Sequence, residues 1–184
     1  MFEAKIFIHI FQILIMNFKS ISKASLLLLA LSAGLISCDK EDDKQTETFN
    51  YSFNTSGIAP YTGTHATTLS AELTVTESDD DKSMVMITLN DAIKDETYMV
   101  HAHDKADATS TPNGTPYLET PNSNVLAGMI ATTSTTGSYE QESSMSFTDL
   151  TTTYDGFLVV HDPLQPVNTA DPSTYVILGD FARN

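Results

Sequence analysis

The chain has 184 residues, with 24 acidic and 9 basic side chains, one Cys and no Trp. At about 100–200 residues per domain, that length fits one domain plus a leader. A single Cys excludes an internal disulfide and any Cys-rich zinc site, and Lys and Arg too few and scattered to follow a phosphate backbone exclude nucleic acid as a partner.

Residues 1–37 read as a signal peptide. From Met16 onward Lys19 and Lys23 form a basic start, Ser25 to Leu31 an apolar run, and small residues follow. The run is too short to span a membrane, which takes about 20 apolar residues. Residues 1–15 form a second apolar segment, read either as a mis-called start or as part of a long leader. Leu35-Ile36-Ser37-Cys38 resembles the lipobox of bacterial lipoproteins. That resemblance implies cleavage before Cys38, a diacylglycerol on its sulfur, and a membrane held through the lipid. The alternative is a free or buried Cys after an apolar stretch. Lys40, Glu41 and Asp42 sit just behind it, in a run that resembles the export tag of surface lipoproteins in one group of Gram-negative bacteria. The resemblance implies an outward-facing place on the outer membrane; the alternative is a solvated charged tether.

The leader carries one acidic and three basic residues, so the remaining 147 hold 23 acids and 6 bases, a formal charge of −17. Residues 38–60 are polar and poor in large aliphatics and read as an acidic tether, leaving 61–184 to fold. Leu69, Ala71, Leu73 and Val75 alternate with polar residues, and so do Val85, Ile87 and Leu89 with Met84, Met86 and Thr88. A period of two means strands with one buried face. Further strands are expected at Thr97–His103, Val125–Ala131, Ser138–Phe147, Gly156–His161 and Thr174–Leu178. Turn-forming stretches at Glu77–Lys82, Thr111–Thr115 and Asp162–Pro172 separate them. About seven short strands without an amphipathic helix predict an all-β fold, an antiparallel sandwich or barrel.

Four histidines follow the leader: His65, His101, His103 and His161. His101 and His103 flank Ala102 on one strand, so both rings share a face, with Cα atoms about 6.5–7 Å apart. Val100 and Ala102 then face the core and the imidazoles face outward. His161 ends a second strand in which Leu158 and Val160 face inward. Two or three imidazoles so placed suit one metal ion, Cu(II) above Zn(II). His65 is a weaker candidate for a fourth ligand and otherwise an exposed loop residue.

These segments resemble a known family. Tyr98-Met99-Val100-His101-Ala102-His103 is similar to the copper-ligand strand of copper–zinc superoxide dismutases, and Leu158-Val159-Val160-His161-Asp162 to the strand bearing their last copper histidine. Tyr175 to Asp180 resembles their final strand. The same layout resembles bacterial lipoproteins with a chordin-type (CHRD) or dismutase-like domain. The resemblance covers Thr68 to Asn184 and implies a Greek-key antiparallel β-sandwich of the immunoglobulin or superoxide dismutase kind. It also implies copper at His101, His103 and His161. The departures are large. No His lies between His103 and His161, which removes the bridging ligand and the zinc site; the family's disulfide has no counterpart, and Tyr175 stands where its steering arginine is expected. A charge of −17 repels an anionic substrate. The expectation is therefore a partial copper site with little or no dismutase turnover.

Two other readings stay open. A sandwich without metal serves adhesion or partner binding, with Thr132–Thr136 and Thr151–Thr153 as ordinary exposed positions. Calcium or carbohydrate binding through Asp79–Asp81 is weaker, because the run lacks the spaced ligands and Gly of a calcium loop. Asp155 and Asp162 near His161 define no nucleophile.

Overall fold

The computed structural model describes residues 43–54, 57–78 and 81–183. The leader, Cys38, Lys40, Glu41, Asp42, Asp79 and Asp80 lie outside the described residues. The compact unit spans Lys44–Asn184. Eight strands build it: β1 (Thr46–Ser52), β2 (Ser70–Glu77), β3 (Ser83–Asn90), β4 (Thr97–Asp104), β5 (Ala127–Ala131), β6 (Thr136–Ser143), β7 (Gly156–His161) and β8 (Tyr175–Asp180). They form two four-stranded antiparallel sheets, β1-β2-β3-β6 and β5-β4-β7-β8, so the fold is an all-β sandwich. Among the described residues, no helix is long and apolar enough to cross a membrane.

The alternating residues of β2 and β3 point between the sheets: Leu73, Val75, Val85, Ile87 and Leu89 are fully buried. They meet Val100, Ala102, Ile130, Leu158, Val160 and Ile177 from the other sheet in one core. Each such side chain contributes about 1.5–3 kcal/mol on leaving water.

The tether ends sooner than the sequence suggests. Thr46–Ser52 is a strand, paired along its length with β2 from Thr46↔Thr76 to Ser52↔Ser70. Its inward residues are aromatic, Phe49 and Tyr51, and a search for aliphatic alternation passes over them. Among the described residues, the stretch before β1 keeps the exposure of a tether.

A tyrosine closes each side of the sandwich. On one side the Tyr51 hydroxyl donates to the carbonyl of Asp180 (3.0 Å) and accepts from the backbone N–H of Ala182 (2.9 Å), joining β1 to the end of β8. On the other, the Tyr139 hydroxyl of β6 donates to the carbonyl of Ala127 on β5 (3.0 Å), while Gln141 Oε1 accepts the Ala127 N–H (2.9 Å). Gly128 is required there, since a Cβ at this position would fall 2.2 Å from the Tyr139 ring.

Candidate metal centre

The outer face of the β5-β4-β7-β8 sheet carries the site. Strand parity puts Tyr98, Val100 and Ala102 in the core and sends His101 and His103 to the opposite face. In β7 Leu158 and Val160 point to the core, and Phe157 and Val159 point away with His161. Val159 is the Cα partner of His101, which places the two strands' outer side chains side by side. A β-bulge at Val160/His161 shifts the register so that His161 pairs with Tyr175.

The three rings come together. His101 and His103 have ring centroids 4.5 Å apart, and His101 and His161 4.8 Å apart. His101 Nε2 and His161 Nε2 are 2.8 Å apart, a hydrogen bond between neutral imidazoles. The face is not open to solvent, in contrast to the sequence expectation: His101 and His161 are 2% exposed and His103 is fully buried. A second apolar cluster (Tyr117, Phe157, Val159, Tyr175 and Leu178) occupies this side of the sheet. Tyr117 stacks beside His103 at 4.8 Å and Tyr175 beside His161 at 4.7 Å. The two phenols bond to each other, and Tyr175 donates to the carbonyl of Thr169. Phe157 to Val160 and Tyr175 to Leu178 are unbroken apolar runs, the pattern of strands covered on both faces. That pattern was the available sign that outward histidines would be covered.

Burial holds all three imidazoles neutral. It drives His101 down to about 3, helped by the positive charge His103 and His161 would carry. His161 falls to about 4 for the same reasons, burial first and His103 next. His103 is lowered by burial, partly offset by the carbonyls of Leu118 and Thr120.

The hydrogen bonds then fix where the lone pairs lie. His103 Nδ1 is 2.6 Å from the carbonyl of Leu118 and must donate, so Nε2 carries a lone pair. His103 Nε2 is buried without a partner, and so is His101 Nδ1. If His101 Nε2 donates to His161, then His101 Nδ1 is a bare lone pair. The reverse tautomer would leave a buried N–H with no acceptor, the rarer defect. Each orphan costs about 1–3 kcal/mol. Two buried lone pairs on adjacent rings therefore stand ready for an electrophile, and a bound ion is one standard reason for such orphans. The Leu118 carbonyl plays the part of an outer partner that fixes ring and tautomer.

Among the described residues no group of three or more His, Cys, Asp and Glu side chains is already arranged around a common point for a metal ion. His103 and His101 offer free nitrogens, while His161 spends its Nε2 on His101. His65 does not join them. Its Nδ1 meets the carbonyl of Ala66 (2.8 Å) and its Nε2 the hydroxyl of Tyr98 (2.7 Å), a core residue. Both of its ring nitrogens are thus engaged away from the other three histidines, and it is buried rather than exposed, at 4%. Asp162 is likewise committed, accepting from Tyr61, Gln165 and the N–H of Leu164. A polar cleft of about 350 Å³ lies at the β2–β3 turn between Glu77, Asp81 and Thr148, on the other sheet. No protein-family model matches the chain, and neither curated proteins nor solved structures provide a match.

Proposed function

We propose that this protein is a cell-envelope lipoprotein, anchored through Cys38 and facing outward, whose sandwich binds copper at His101 and His103, with His161 orienting the His101 ring. One observation carries the metal reading: His101 Nδ1 and His103 Nε2 are buried ring nitrogens with no partner, on adjacent rings of one strand. Imidazole nitrogens are copper ligands, and zinc, which prefers four donors, is served less well by this set. The layout resembles a dismutase-like or CHRD-like domain that keeps only part of its copper site, and the chemistry proposed is binding rather than turnover. Superoxide has no open approach, because the imidazoles are 0–2% exposed, and the surface is strongly acidic.

The test is copper binding by the full-length chain against His101→Ala/His103→Ala. One copper ion per chain, lost in the double variant, is the expected result. Wild-type protein that binds no copper, or a double variant that binds it as well, overturns the reading. Dismutase assays on the loaded protein should show turnover far below that of a true dismutase; rapid turnover would overturn the binding-only chemistry.

A further inference from the structure

Resting on the metal-site reading above, we propose that the ion is held as Cu(I), and that the thioethers of Met99 and Met129 capture it at the surface first.

The two methionines are Cα partners in the β4–β5 ladder. Side chains directly opposite in an antiparallel pair have Cβ atoms about 4.5–5.5 Å apart. Their neighbours Tyr98, Val100 and Ile130 are core residues, so both thioethers lie on the outer face with His101 and His103. Met129 is 58% exposed and Met99 is half-buried. Met99 is two residues from His101 on one strand, about 6.5–7 Å between Cα atoms. A pair of soft sulfurs thus meets solvent one side-chain step from the buried nitrogens. Neutral thioethers select Cu(I) over Cu(II) and Zn(II).

The inner site points the same way. Its donors are neutral, and the acids closest in sequence to His103 and His161 are engaged elsewhere. Asp104 accepts from Tyr154 and Asn122, and Asp162 from Tyr61, Gln165 and Leu164. The Tyr117 and Tyr175 hydroxyls bond to each other and to Thr169. Stripping an ion of water costs energy as the square of its charge, so a divalent ion here pays about four times what a monovalent one does. Asp104 and Glu119 reach His103 through charge alone and supply no ligand oxygen, so the donors themselves are neutral nitrogens and Cu(II) and Zn(II) are disfavoured. Cu(I) is satisfied by two or three such nitrogens.

The experiment is anaerobic metal competition on the full-length protein. Cu(I) is offered against a chromogenic chelator, Cu(II) and Zn(II) are titrated in parallel, and stopped-flow loading is compared between wild type and Met99→Leu/Met129→Leu. Leu conserves volume, so the variant keeps the fold. Cu(I) should bind at least about 100-fold more tightly than either divalent ion. The double variant should load about tenfold more slowly and reach the same final stoichiometry. Divalent ions bound as tightly as Cu(I) would overturn the cuprous assignment while leaving the histidine site standing. Loading of the variant at the wild-type rate would overturn the capture role. Binding of no ion at all would instead overturn the underlying metal reading.

Discussion

His161 Nε2 accepts a hydrogen bond from His101 Nε2 at 2.8 Å, and so leaves His101 Nδ1 as the free nitrogen. The three histidines should therefore not be equivalent. Replacing His101 or His103 by Ala removes a lone pair and should lower copper affinity by more than about 100-fold. His161→Ala removes an orienting partner and should cost about 10–100-fold, the range for outer partners of ligands. Chelator competition on the three single variants checks the order; equal losses at all three would make His161 a direct ligand.

Acid should destabilise the metal-free protein. His101 and His161 are held down at about 3 and 4 when folded, by burial first, against about 6.5 in an unfolded chain. The unfolded state thus binds more protons below about pH 6.5, and stability rises with pH in that window. Their contribution is fully present above about 6.5 and is lost as pH falls toward 4 and then 3, at about 1.4 kcal/mol per pH unit for each group. Thermal melts between pH 7 and pH 4 should show a falling Tm, and His161→Gln should flatten the slope. A slope unchanged in that variant would remove His161 from the account.

Strand β1 makes a prediction about where the fold begins. A chain starting at residue 44 retains Phe49 and Tyr51, and one starting at 54 loses both. Each aromatic contributes about 1.5–3 kcal/mol by burial, and loss of the Tyr51 hydroxyl also strands the N–H of Ala182. Against a total stability of about 5–15 kcal/mol, the shorter chain should be largely unfolded or melt far lower. Circular dichroism of the two truncations would decide; equal melting would return residues 44–53 to the tether.

Lipidation is tested at Cys38. A diacylglycerol on sulfur with a further acyl chain gives stable anchoring, where one chain alone is marginal. Cys38→Ser should move the protein out of the membrane fraction. Replacing Lys40, Glu41 and Asp42 by Ala should leave it membrane-bound and reduce its cleavage by protease added to whole cells. Unaltered cleavage would make the acidic run a simple spacer.

The parts legible in the sequence are those set by local periodicity. Gly156–His161 is read to the residue because Leu158 and Val160 alternate with Val159 and His161, and the shared face of His101 and His103 follows from parity alone. What escaped is non-local. Tyr117 and Tyr175 come from segments far from β4 in sequence and determine that the histidines are covered. The Leu118 carbonyl that fixes the His103 tautomer lies in the same irregular stretch. His65 lies in a loop, and its burial depends on the hydroxyl of Tyr98, 33 positions away, which local sequence does not reveal. Phe49 and Tyr51 were missed for a different reason: aromatic alternation within a polar segment is a weak pattern, and only pairing with β2 gives it meaning.

The phenols that close the two sides of the sandwich have a consequence for crowding. The N–H and carbonyl of Ala127, the carbonyl of Asp180 and the N–H of Ala182 belong to the margins of the β5-β4-β7-β8 sheet. Margins of this kind are templates on which a neighbouring chain can add a strand. Tyr51, Tyr139 and Gln141 occupy those groups from within the same molecule. A second chain pairing along the sheet at those positions would first have to displace these side chains, which raises the barrier to edge-to-edge association there.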